Sequence, residues 1–104
     1  MQLVVGLDRI GDDDGCRVGG KALALAALQR SGHPVPRSLC LTAEAYELFV
    51  ERASLRAVIH QELGRKSFGD MRWEEIWDIA LRIRNRFLRA PVPEEVVEAV
   101  DTQL

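Results

Sequence analysis

The sequence has 104 residues, 47% hydrophobic and 29% charged, and a formal net charge of −2 from 14 basic and 16 acidic side chains. That length suits one domain or one piece of a larger one, able to bury roughly 60–70% of its unfolded surface. Near-balanced charge excludes nucleic acid or an anionic membrane as the main partner, and no apolar run approaches the roughly 20 residues that span a bilayer. Cys16 and Cys40 form no C-x-x-C pair, and the first 30 residues lack a basic-then-apolar leader pattern. Free thiols and a cytoplasmic location are the expectation.

Leu3, Val5 and Leu7 alternate, which predicts a short strand over residues 2–7. Residues 8–17 read as a polar, glycine-containing loop. From Gly20 the pattern changes, and residues 22–28 are entirely Ala and Leu, the composition of a helix buried on most sides. Gly32 is a C-terminal stop, and Pro34 cannot continue the helix. Leu39 and Leu41 alternate in a second strand. Thr42 is a good N-cap for a helix whose stripe is Tyr46, Phe49, Val50 and Ala53. Ser54 recaps a third helix with Leu55, Val58, Ile59 and Leu63 inward, ended by Gly64. Asp70 is the expected cap of the longest helix, with Trp73, Ile76, Trp77, Ala80, Ile83 and Phe87 as its buried stripe. Pro91 stops it, and Pro93, Glu94 and Glu95 open a last helix carrying Val96, Val97 and Val100. Two strands alone are marginal, so they belong to a sheet completed elsewhere or lean wholly on the helices.

The most informative stretch is Gly15-Cys16-Arg17-Val18-Gly19-Gly20-Lys21-Ala22, where a loop meets a helix start. Backbone N–H groups and the positive dipole end make such a start an anion site. Glycines let the backbone approach a phosphate closely. Lys21 sits where the dipole mildly disfavours a cation, which makes sense if a phosphate shares the spot. The spacing also matches G-x-x-x-x-G-K of a P-loop, but Ala22 stands where the magnesium-binding Ser or Thr is required, which rejects a Walker-type NTPase. The bland alternative is a glycine turn for helix packing beside a solvated lysine.

The runs Val18-Gly19-Gly20-Lys21-Ala22, Gly32-His33-Pro34-Val35-Pro36 and Leu41-Thr42-Ala43-Glu44-Ala45-Tyr46 come in that order. Ile83-Arg84, Phe87 and Ala90-Pro91-Val92-Pro93-Glu94-Glu95 follow. Together they resemble the opening of the nucleotide-binding domain of the phosphoenolpyruvate synthase, pyruvate phosphate dikinase and rifampin phosphotransferase family. The resemblance covers about residues 16–100. The elements above total about two short strands and five helices, an α+β, mostly helical chain, and the resemblance implies a partial ATP-grasp-like N-terminal subdomain. It implies that Lys21, with Gly19 and Gly20, contacts ATP phosphates. It also implies a reaction that moves phosphate from ATP, with Mg²⁺, to a histidine and then to pyruvate or another acceptor. This chain has Ala24 where the family usually has Asn, and Arg37-Ser38 where it usually has Pro-Gly.

The family's next strand, its magnesium carboxylates and its phosphohistidine domain would follow Leu104. Residues 1–104 are therefore expected to be one piece of a truncated ATP-binding domain, inactive alone. Its expected partners are nucleotide, the remaining domains of the parent enzyme, and possible self-association through an exposed edge. A non-catalytic interaction module with the same fold is the alternative. His33 and His60 read as structural or exposed, with no base, nucleophile or metal placed by spacing. Asp12, Asp13 and Asp14 lack the later glycine and distal Glu of an EF-hand and read as a solvated turn. Arg82, Arg84, Arg86 and Arg89 read as a solvated helix face, or as partners for acidic groups of a missing domain.

Overall fold

The computed structural model describes residues 1–104. Two strands, β1 (Val4–Gly6) and β2 (Leu39–Leu41), and five helices, α1 (Gly15–Arg30), α2 (Ala43–Arg52), α3 (Leu55–Leu63), α4 (Trp73–Arg89) and α5 (Glu94–Gln103), follow in the order β1-α1-β2-α2-α3-α4-α5. The mostly helical α+β class matches the sequence expectation. The chain divides into two compact units, one of residues 1–48 and 92–104, the other of residues 49–91, with the boundary inside α2.

In the first unit β1 and β2 pair antiparallel, Val4 opposite Leu41 and Gly6 opposite Leu39. The strand is shorter than the alternation predicted, because Leu7 enters a 3-10 turn over Leu7–Arg9. Val5, Leu7, Ile10 and Ala26 form the buried cluster, with Val18, Ala22, Leu23, Leu25, Val35 and Cys40 packed against it. Only Ala26 of α1 is fully buried and Leu28 is exposed, so this helix is half-covered rather than buried on most sides.

Its C-terminus is a Schellman motif. Gly32 sits at φ 90°, its N–H bonds the Gln29 carbonyl at 3.1 Å, and the His33 N–H bonds the Leu28 carbonyl at 3.2 Å. Thr42 caps α2 as expected. Its Oγ1 accepts from the Ala45 N–H at 3.3 Å and donates to the Gln2 carbonyl at 2.6 Å. The cap is buried, so one hydroxyl ties the helix start to the approach to β1. On α5 Val96 is buried, and the Gln103 side-chain amide donates to the Val4 carbonyl at 3.2 Å.

In the second unit α3 packs on α4, with Val50, Leu55 and Ile79 buried. Phe49 and Phe87 rings lie 5.8 Å apart. Several expectations fail here. Ser54 does not cap α3; it is left-handed at φ 55°, ψ 32°. Asp70 closes a 3-10 turn over Phe68–Asp70, and Arg72 occupies the N-cap of α4. Trp73 and Trp77 are 68% and 60% exposed and meet edge to face at 6.2 Å. The inward face of α4 is instead Ile76, Ile79, Ile83 and Phe87. Both stripes satisfy the helical period, and the structure selects the one rotated toward the isoleucines. On α3 Leu63 is exposed while Glu62 is buried. No helix is long and apolar enough to cross a membrane.

Candidate functional site

The site begins at a break in α1. Helical turns run on both sides of Gly19, which itself lies at φ 82°, ψ 171°. That region of backbone space is almost closed to residues with a Cβ. Gly19 is therefore demanded by the backbone. The turn before it, residues 15–18, is helix, where the sequence pattern predicts loop up to residue 17. Its only cue was Val18, an apolar side chain in a polar stretch.

The break is pinned from both sides. Val18 packs on the buried cluster just before it, and Ala22 and Leu23 pack on the same cluster just after. Arg17 bonds Asp14 at 3.1 Å and reaches the Gln2 side chain as well. The helix restarts with Gly20, Lys21 and Ala22 in its new first turn, where N–H dipoles add toward the positive end.

Gly20 differs from Gly19. Its dihedrals are helical, and a Cβ built on it would meet nothing within 4 Å; the same openness holds at Gly19. No packing inside the protein requires glycine at position 20. Lys21 is exposed and its ammonium makes no hydrogen bond or ion pair. The other two cations of α1 are engaged, Arg17 with Asp14 and Arg30 with Asp12 at 2.8 Å. The structure thus brings Gly19, Gly20 and Lys21 together at one exposed, open and cationic helix start. Ala24, one turn further, is exposed too.

The other sequence candidates fall elsewhere. Asp14 accepts from the Gly11 N–H at 2.9 Å, which with Arg17 holds its carboxyl below the usual range. No group of three His, Cys, Asp or Glu side chains is placed to hold a metal ion. His33 and His60 are exposed. Cys16 is exposed, and burial pushes the Cys40 thiol up. Arg82 is half exposed but paired: its Nε bonds both Glu62 oxygens at 2.8 and 3.0 Å. Glu62 was missed by sequence reading. Arg65 three residues on was a local hint, but the second partner lies 20 residues away.

The chain belongs to an ATP-binding domain family. The family described as pyruvate phosphate dikinase, AMP/ATP-binding domain, matches residues 16–104, a span that includes the Gly19-Gly20-Lys21 run. A probable phosphoenolpyruvate synthase of Staphylothermus marinus is 32% identical over 99 residues, covering 95% of this chain and 12% of that protein. The phosphoenolpyruvate synthase of Aeropyrum pernix is 33% identical over 99 residues, with 95% and 12% covered. The rifampicin phosphotransferase of Bacillus subtilis is 31% identical over 99 residues, with 94% and 11% covered. The chain spans about an eighth of the length of these relatives.

Proposed function

We propose that residues 1–104 are the N-terminal, ATP-phosphate-binding segment of an ATP-grasp-like domain. Its parent phosphotransferase phosphorylates a histidine from ATP and passes the phosphate to pyruvate or another acceptor. The observation that carries this reading is the glycine pair. Gly19 serves the backbone, while Gly20 serves nothing within the protein and leaves room for a phosphate beside the unpaired Lys21. The names of the relatives support the phosphotransferase class. ATP would supply the transferable phosphoryl group. In this chain Gly19 and Gly20 admit the phosphates and Lys21 offsets their charge. Magnesium ligands are not assigned to these residues, and the segment is inactive by itself. It awaits the remaining domains, and the exposed aromatic surface of Phe68, Trp73 and Trp77 supports docking or self-association.

A charge-assisted contact contributes roughly 1.5–3 kcal/mol when partly desolvated. Lys21 is exposed, so net affinity in this segment is no better than about millimolar, near −4 kcal/mol. Titrating ATP into labelled protein is expected to shift the amide signals of Gly19, Gly20 and Lys21 first, and Lys21→Ala to remove most of the effect. Unchanged ATP binding in Lys21→Ala sinks the assignment. Metal-dependent ATP turnover above the Lys21→Ala background sinks the claim of inactivity. Exposed Ala24 favours a second reading, a binding module that keeps the fold without the chemistry. Restoring Asn there discriminates: Ala24→Asn strengthens ATP binding if the site is a weakened phosphate cradle, and changes nothing if it is not.

A further inference from the structure

The second unit carries its own concentration of positive charge, away from the glycine-broken helix. Between α3 and α4 lies an open cavity of about 340 Å³ lined by Glu62, Arg65, Arg82, Asn85, Arg86 and Arg89, among others. Four arginines face one carboxylate, so four charges minus one leave three uncompensated. The carboxylate is already engaged. Glu62 is buried and accepts from Arg65 Nε at 3.2 and 3.0 Å and from Arg82 Nε at 2.8 and 3.0 Å. It fixes two guanidinium planes at the floor of the cavity. The side chains of Arg86 and Arg89 have no hydrogen bond or ion pair.

Arg82 and Arg86 stand at i and i+4, and Arg86 and Arg89 at i and i+3, spacings at which like charges repel on a helix. The C-terminal dipole eases this by favouring cations, but it does not explain why the arginines share one concavity with Arg65 of the loop that follows α3. We propose that this cavity binds the diphosphate group of a small ligand. Guanidinium forks match phosphate oxygens two at a time, Asn85 adds a neutral donor, and three excess charges suit two linked phosphates better than a single carboxylate. Glu62 acts as a positioning residue and does not touch the ligand.

The test titrates inorganic pyrophosphate into the 104-residue Lys21→Ala variant, so the outcome is independent of the reading of Gly19-Gly20-Lys21. Saturable shifts are expected at the side-chain Nε–H signals of Arg82, Arg86 and Arg89. Arg86→Gln with Arg89→Gln is expected to weaken binding about tenfold or more. Both side chains are exposed, and an unchanged circular dichroism spectrum identifies the variant as folded. Should it unfold, the salt dependence of pyrophosphate binding to the Lys21→Ala chain decides instead. Affinity that falls steeply with salt supports the site, and salt-independent shifts overturn it. Equal binding of pyrophosphate and ADP identifies free diphosphate chemistry as sufficient. Tighter ADP binding with further shifts identifies a nucleotide as the source. Shifts that bypass these arginines, a folded double variant that binds as well as its parent, or tighter binding of an acidic peptide than of pyrophosphate each overturn the proposal.

Discussion

The two units solve the burial problem differently. The first encloses aliphatic side chains from two strands, a broken helix and the last helix, with Val4, Val5, Leu7, Ile10 and Val96 all buried. The second buries Val50, Leu55 and Ile79, admits a charged Glu62 to its interior, and leaves Phe68, Trp73, Trp77, Leu81 and Leu88 in solvent. Apolar residues are not short in the second unit; they are turned outward, and a buried carboxylate is held there by two half-exposed arginines. A buried charge holds only while its partners are in place. The first unit, with Asp14 as a depressed carboxyl of its own, should therefore answer less to charge and pH than the second.

The largest effect tests whether the small second core is a core at all. Leu55 is 1% exposed, so Leu55→Ala is expected to cost about 3 kcal/mol, read from the urea midpoint at constant slope. A cost under about 1 kcal/mol would mean that helix α3 adjusts freely and that the second unit is loosely packed.

Next come the neighbouring glycines, with opposite signs. Gly19→Ala forces a Cβ into a positive-φ conformation and is expected to destabilise by about 1–3 kcal/mol. Gly20→Ala occupies open space in a helix and is expected to stabilise by about 0.5–1 kcal/mol while weakening ATP binding. If Gly20→Ala leaves ATP binding intact, the glycine does not serve a phosphate.

A pH titration then separates the units. Arg82, then Arg65, holds the Glu62 carboxyl below its usual range, and Arg72, then Lys66, does the same for Glu75. Both lie in the second unit; in the first, Asp14 is held low as well. A depressed folded value means the unfolded chain protonates first. Stability from these pairs is thus complete above the unfolded carboxylate range, about pH 4–4.5, and is lost as pH falls through the lower folded values. Both tryptophans of the chain, Trp73 and Trp77, report on the second unit. Their fluorescence is expected to change on acidification before the first unit melts, and Glu62→Gln to flatten that acid limb. Coincident acid transitions in both units would erase the distinction.

The smallest stability effect falls on Trp77→Ser, within about 0.5 kcal/mol because the ring is mostly exposed. Its larger consequence is expected in sedimentation, where any self-association of the parent chain should weaken. An unchanged association state would locate self-association elsewhere.

Residues whose fate is settled locally were legible in the sequence. Gly32 ended α1, Thr42 capped α2, and the glycine–lysine run marked a helix start, since caps and turns depend on a few adjacent residues. Fates settled at a distance were not. Glu62 is buried and held by Arg82 from another helix as well as by Arg65, while Leu63 is exposed. Tyr46, placed on the buried stripe of α2, is exposed while Ala45 is buried. In α4 two apolar stripes fit one period, and the period alone does not distinguish exposed Trp73 and Trp77 from buried Ile79. At the candidate site the motif and its open glycine were readable. The helical turn before Gly19 was not, because its stability comes from Val18 meeting a cluster built from β1 and the turns after it.

The bond from Gln103 to the Val4 carbonyl joins residues 99 apart in sequence. During vectorial synthesis the residues of the second unit are therefore complete before those of the first. Residues 49–91 are contiguous and can close as soon as they leave the ribosome, while the first unit waits for α5. Until then the nascent β1–β2 ribbon lacks its closing helix, so the unit that holds Gly19-Gly20-Lys21 is completed only when α5 has been made.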